Sequence, residues 1–219
     1  MRLPDLVPVR LVLADDEALL RRGLRVLLEA GGRVEVVAEA ADGAGLLDAV
    51  RGHRPDVALV DVQMPGVDGL TAVRTLLTWP DPPAVAILTT FDLDDYVATA
   101  LDMGAQGFLL KDAEPEALVR AVVDLAAGGA VLDPRITARL LPRLRGAVRF
   151  RGNAHLEALS AREKQVLALL ASGQSNGAIA GALGLSEATV KSYVSTVLTK
   201  LGVENRVQAA LVAHQVGAW

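Results

Sequence analysis

The chain has 219 residues, 52% of them hydrophobic and 22% charged, which suits one or two globular domains and excludes a disordered or fibrous composition. It contains no cysteine, so a disulfide framework, a thiolate zinc site and a thiol nucleophile are all excluded. The net charge of −4 conceals a split, because residues 1–134 hold 11 Lys and Arg against 22 Asp and Glu while residues 135–219 hold 11 against 4. An acidic part joined to a basic part implies two domains with different partners, the basic one a candidate for nucleic acid.

The first ten residues include Arg2, Pro4, Asp5 and Pro8 and carry no apolar stretch of the kind a secretory signal needs. The longest charge-free run, Gln165–Ser186, is interrupted by Ser172-Gly173-Gln174-Ser175-Asn176-Gly177 and reads as two helices and a turn, not a membrane span. A cytoplasmic protein without a membrane partner is expected.

Through residue 130 short β-type runs alternate with helical patterns. Strands are expected at Val9–Ala14, Val34–Ala38, Val57–Val60, Ala84–Thr89 and Gly107–Leu110, each rich in Val, Leu or Ile as buried parallel strands are. Helices are expected at Glu17–Ala30, Ala44–Arg51, Leu70–Thr78, Asp94–Met103 and Glu114–Ala127. Five such units predict a doubly wound, five-stranded parallel sheet whose ligands bind at the carboxyl ends of the strands. Residues 131–155 hold six arginines and lose the periodicity, although Arg135–Leu144 could form a short helix. This stretch reads as a linker between a domain at 1–130 and another at 156–219. From Ser160 the pattern is helical only, with helices near Ala161–Ala171, Asn176–Leu183, Glu187–Leu201 and Arg206–Gln215. Ser160 and Glu163 have capping-box spacing, and Gly184 and Gly202 stand where helix ends favour a left-handed residue.

The strand ends carry the chemistry. Asp15, Asp16 and Glu17 follow the first strand, Asp61 ends the third, Thr89 ends the fourth and Lys111 follows the fifth. An Asp at a strand end is ordinarily a turn or cap residue, and a lone Lys a surface charge; these residues gain meaning by falling at successive ends of one sheet. Carboxylates crowded together repel one another unless a cation joins them, and oxygen ligands without His or Cys favour Mg2+. With a hydroxyl and an ammonium alongside, the cluster can cradle a phosphoryl group, and Asp61 can act as the nucleophile that forms an aspartyl phosphate.

At this point the sequence resembles a known family. The strings Leu11–Glu17, Asp61–Gly69, Leu88–Phe91 and Gly107–Lys111 make Val9–Ala127 similar to the receiver domain of bacterial two-component response regulators. The resemblance implies that Asp61 accepts phosphate from a sensor histidine kinase. It also implies that Asp16, Asp61 and the Gln63 backbone carbonyl bind Mg2+, with Asp15 acting mainly through a bound water. Thr89 and Lys111 would contact phosphoryl oxygens, and Phe108 would be the aromatic that changes rotamer on activation. Two positions depart from the common pattern: Asp112 stands where proline is frequent, and Gln63 replaces a commonly basic residue, which bears on the dephosphorylation rate.

In the basic half, Val190, Val194, Val197 and Leu201 form a narrow apolar stripe along the helix Glu187–Leu201. The other face carries Ala188, Ser192, Ser195 and Thr199 with Lys191 on its flank, small enough to approach base edges in a major groove. A short turn joins this helix to the preceding one, as in a helix-turn-helix, although the pattern alone would equally suit a plain helical bundle. Leu159–Gln215 resembles the LuxR-type DNA-binding domain through Leu159–Glu163, Ser175–Ala180, Leu185–Val194 and Lys200–Arg206. The two resemblances together are those of the NarL/FixJ class of response regulator. They imply base contacts from Lys191, Ser192 and Ser195, and phosphate contacts from Thr189, Tyr193, Asn176 and Lys200. Tyr193 stands where histidine is usual, and Ser195 where some members carry a second lysine. Expected partners are a histidine kinase, double-stranded promoter DNA and a second copy of the chain when phosphorylated, with RNA polymerase a further partner that this class admits. Val207, Leu211 and His214 recur at helical spacing and could supply a dimer contact or belong to the core.

Two rivals remain. An Asp-nucleophile phosphatase would ordinarily have a second acid two residues after Asp61, where this chain has Gln63. A receiver-like module controlled by protein or ligand contacts without phosphate would be favoured by loss of Asp61, Thr89 or Lys111, and all three are present. The chain is therefore expected to be a regulator that accepts phosphate and slowly loses it, not an enzyme.

Overall fold

The computed structural model describes residues 7–89, 99–100, 103–133, 135–136, 154–203 and 205–215; the side chains of residues 154, 155, 211, 214 and 215 fall outside this description. The chain divides into two compact units, Met1–Ala126 and Ala127–Trp219.

In the first unit the strands are β1 (Val9–Ala14), β2 (Val34–Ala40), β3 (Val57–Asp61), β4 (Ala84–Thr89) and β5 (Gly107–Leu110). They pair in parallel in the order β2-β1-β3-β4-β5. The helices are α1 (Ala18–Glu29), α2 (Gly43–His53), α3 (Gly69–Leu77) and α4 (Pro115–Ala126). Strands β3 and β5 are buried along their whole length, because crossover helices cover both faces of a parallel sheet. That is why they read as unbroken apolar runs. Leu11, Leu13, Leu59, Ile87, Leu88 and Phe108 are fully enclosed at the centre.

Local chemistry sets the helix starts. Asp42 and Asp68 cap α2 and α3 by accepting from the backbone N–H of Gly45 and Thr71. Proline opens α4, where its missing N–H costs nothing. The expected elements form within one to two residues of their anticipated ends. The expected helix Asp94–Met103 lies mostly outside the described residues; of it, Thr99 and Ala100 are seen as helix and Met103 as a turn.

The second unit contains a two-residue strand, β6 (Val131–Leu132), and a short helix, α5 (Ala154–Glu157). Neither was foreseen in the stretch expected to be a linker. Four helices follow: α6 (Ala161–Ala171), α7 (Asn176–Leu183), α8 (Glu187–Leu201) and α9 (Arg206–Gln215). The expected capping box forms at α6, with Ser160 and Glu163 each receiving the other's backbone N–H. Gly184 and Gly202 adopt φ of 65° and 67° at the ends of α7 and α8. Val166, Leu170, Ile179, Val190, Val197 and Val212 lie in the shared core. Val207 is fully buried as well, so it belongs to the interior and not to an exposed dimer stripe; the side chains of Leu211 and His214 lie outside the described residues. Of the expected helix Arg135–Leu144, Arg135 and Ile136 are seen as helix and the rest is outside the description. No helix among the described residues is long and apolar enough to cross a membrane.

Candidate functional site: a carboxylate cluster and a helix-turn-helix

Strand register brings the chemical residues to one edge. Ala14 lies opposite Val60, Asp61 opposite Leu88, and Thr89 opposite Leu110. Asp15, Asp61, Thr89 and Lys111 therefore emerge side by side at the carboxyl ends of β1, β3, β4 and β5. The strand order reverses between β1 and β3, which opens a crevice between their ends. A cleft of about 550 Å3 beside it is lined by Asp16, Val62, Gln63, Met64, Pro65 and Asp68.

Lys111 organises the cluster. Its Nζ lies 2.9 Å from Asp15 Oδ2, 3.0 Å from Asp61 Oδ2 and 3.2 Å from Glu17 Oε1. Asp15 and Asp61 are buried, and the Lys111 side chain is only 8% exposed. Burial alone would draw the ammonium's pKa down, but the paired carboxylates Asp15 and Asp61, the latter also hydrogen-bonded to it, outweigh burial and hold the pKa above the usual lysine range. Burial pushes the Asp61 carboxyl up; Lys111 pulls it back, and the charge of Asp15 adds to the rise. Asp61 therefore combines a desolvated carboxylate with a fixed cation, the setting in which an oxygen nucleophile and an incoming anion can meet.

The same cluster fits a divalent cation. Asp15, Asp16 and Asp61 can each offer an oxygen within 4.8 Å of the others. Asp15 Oδ2 is buried without a hydrogen bond, since Lys111 approaches within ion-pair distance but off the hydrogen-bond direction. The other oxygen, Oδ1, accepts the Glu17 backbone N–H at 2.8 Å. A carboxylate half satisfied in this way is suited to a hard metal ion.

The loop after Asp61 is shaped by glycine. Gly66 turns with φ of 70°, and a Cβ on Gly69 would stand 1.9 Å from the Asp61 carbonyl oxygen. Gly69 also donates its N–H to Val62 at 3.0 Å, which folds the loop back onto the strand end. Thr89 is buried at the end of β4, and Phe108 is fully enclosed within β5. A network missed in the sequence lies behind Asp15. Arg21 donates to the Asp15 carbonyl and to Glu39 Oε2, while Arg25 bonds Glu39 Oε1 at 3.0 Å. Its only sequence signal was a pair of arginines one turn apart on α1.

In the second unit, α7 and α8 form the expected helix-turn-helix pair. The outward face of α8 exposes Ala188, Thr189, Lys191, Ser192, Ser195, Thr196 and Thr199. Lys191 stands 4.0 Å from Glu187, a neighbour one turn back that the sequence reading did not single out. Tyr193 is half-buried against the core. Lys200 holds both oxygens of Glu163, at 2.9 and 2.7 Å, so its charge is engaged within the unit. Asn176 does not join the outward face. It is buried, and its Oδ1 accepts from Arg206 at 3.1 Å, since the acceptors that meet the buried Arg206 among the described residues are neutral oxygens. Burial draws the Arg206 pKa down to about 10.

Comparison with known proteins agrees with both halves. The response regulator receiver domain family matches residues 11–123, and the family described as bacterial regulatory proteins, luxR family, matches residues 157–213. The chain is 40% identical over 208 residues to the DNA-binding transcriptional activator DevR/DosR of Mycobacterium tuberculosis, covering 95% of each. It is similar in structure to the response regulator ChrA of a heme-sensing two-component system, with a TM-score of 0.55 and 40% identity over 97% of this chain and 99% of the other. It also resembles RcsB, solved as two dimers bound to two parallel DNAs, with a TM-score of 0.57 and 28% identity over 95% of this chain and 98% of the other. The receiver domain marks the response regulators, and the helical luxR-type domain joined to it marks their DNA-binding members. This chain belongs to that family and is a DNA-binding transcriptional regulator of its NarL/LuxR branch.

Proposed function

We propose that a sensor histidine kinase transfers a phosphoryl group to Asp61, and that the modified chain dimerises and binds promoter DNA sequence-specifically. The observation that carries this reading is the Lys111 ammonium held within 3.0 Å of two buried carboxylates, one of them Asp61. In this reading residues 1–130 are the phosphoacceptor domain, 131–155 the linker and 156–219 the DNA-binding domain, working in the cytoplasm. Asp61 attacks phosphorus, while Lys111 and the Thr89 hydroxyl receive the phosphoryl oxygens. Asp15, Asp16, Asp61 and the Gln63 carbonyl would hold Mg2+, which when bound offsets the charge of donor and carboxylates. The added charge draws on Thr89 and Lys111 and, through Phe108, biases a two-state element. Slow hydrolysis of the acyl phosphate resets the chain.

For DNA, Lys191, Ser192 and Ser195 read bases, and Thr189, Tyr193 and Lys200 hold the backbone, Lys200 after exchanging Glu163 for phosphate. RNA polymerase is the partner through which binding would alter transcription. The test is labelling by acetyl phosphate with Mg2+. Wild type takes up one phosphoryl group, and Asp61→Asn takes up none. Undiminished labelling of the variant would move the site elsewhere.

A further inference from the structure

We propose that Glu17 is a displaceable partner of Lys111, holding one N–H of the ammonium until a phosphoryl group on Asp61 takes its place. The inference rests on Asp61 being the phosphoacceptor. Lys111 Nζ lies 2.9 Å from Asp15, 3.0 Å from Asp61 and 3.2 Å from Glu17, and it donates hydrogen bonds to the last two. The three carboxylates differ in their access to water: the side chains of Asp15 and Asp61 are 0% and 6% exposed, and that of Glu17 is 63% exposed. Taking the cation from a buried carboxylate leaves an uncompensated charge in the interior, whereas Glu17 can return to solvent at little cost. Glu17 is therefore the partner that yields.

Its position supports this role. Glu17 is the N-cap residue of α1, yet its side chain makes no capping hydrogen bond. The backbone is tied down, with its N–H on Asp15 Oδ1 at 2.8 Å, and the carboxylate reaches across to Lys111. In phosphorylation an Asp61 oxygen forms a bond to phosphorus, the phosphorus–oxygen bond to acetate breaks, and acetate departs with the electron pair. Negative charge that lay on the Asp61 carboxylate now lies on the terminal phosphoryl oxygens, farther out from the sheet edge. The Lys111 donor that faced Asp61 can follow this charge, and the donor that faced Glu17 is released to join it. Glu17 thus competes with the phosphoryl group for a donor, acting as a positioning residue.

The test compares the full-length wild type with Glu17→Gln in two measurements. In the first, without acetyl phosphate or metal, lysines are modified by acetic anhydride and mapped by mass spectrometry. The variant should acylate Lys111 several-fold faster, with Lys164, Lys191 and Lys200 unchanged. In the second, labelling by acetyl phosphate and Mg2+ should be several-fold faster in the variant. Unchanged Lys111 reactivity overturns the proposal even if labelling quickens, since that gain would be simple relief of charge repulsion. Increased reactivity without faster labelling overturns it too, because Glu17 would then not compete with the phosphoryl group. A wild type that takes up no phosphate defeats the phosphoacceptor reading instead, and the lysine map still reports whether Glu17 holds Lys111.

Discussion

At the scale of single residues, the site depends on contacts too close for any side chain to intrude. Gly69 is the clearest case, since an added Cβ would meet the Asp61 carbonyl oxygen at 1.9 Å. The opposing atom is backbone and cannot swing away, so Gly69→Ala must shift the strand end that carries Asp61. The expected cost is at the upper end of the ~1–3 kcal/mol typical of overpacking, read from chemical denaturation, together with slower labelling by acetyl phosphate. Glu163 makes a different prediction. Lys200 and the Ser160 backbone hold its carboxyl below the ordinary value of 4.5. A lowered folded-state pKa contributes stability above the unfolded pKa and loses it as pH falls through the folded value. The melting-temperature gap between wild type and Glu163→Gln should therefore be full above pH 4.5 and shrink as pH is lowered below it. A gap that stays constant to low pH would mean that the ion pair contributes nothing.

At the scale of elements, α8 divides its length between core and surface. Val190, Val194, Val197 and Leu201 are buried, and the opposite face has only Lys191 as an exposed long cation among its described residues. Thr196 and Thr199 turn their hydroxyls back to the carbonyls of Ser192 and Ser195 at 3.0 Å, which shortens the face further and suits close approach to a groove. If Lys191 reads a base, Lys191→Ala should cost roughly 1–3 kcal/mol at the cognate site and much less on random DNA. Equal losses on both, with a shallower salt dependence, would assign Lys191 to a phosphate and leave Ser192 and Ser195 as the readers. Footprinting on the natural promoter separates the two results.

At the scale of the whole molecule, one helix-turn-helix offers one recognition helix, and a closed two-fold pair is the common way to double it. Phosphorylation should shift the chain from monomer towards dimer in analytical ultracentrifugation and raise promoter affinity in a gel shift. Half-sites are expected about one helical turn, ~10 bp, apart. An unaltered monomer–dimer balance and unaltered affinity after full phosphorylation would refute the coupling.

Much of this was legible in the sequence, for physical reasons that can be named. The apolar runs of β1, β3, β4 and β5 follow from burial on both faces, and the capping box of Ser160 and Glu163 is a pair of local hydrogen bonds, set within a few residues of chain. The alignment of Asp15, Asp61, Thr89 and Lys111 was legible too, because parallel strands with right-handed crossovers deliver their carboxyl ends to one edge. Relations between distant residues were decided only by the tertiary structure. Nothing local distinguishes Glu17 from the acids beside it until β5 places Lys111 within 3.2 Å. The helix-start residue Asn176 looked like a surface contact until α9 brought Arg206 against it, and Val207 was ambiguous until the packed chain left it fully buried. Periodicity records which face of an element is apolar; which charge meets which depends on how the elements pack, and that information is spread over the whole chain.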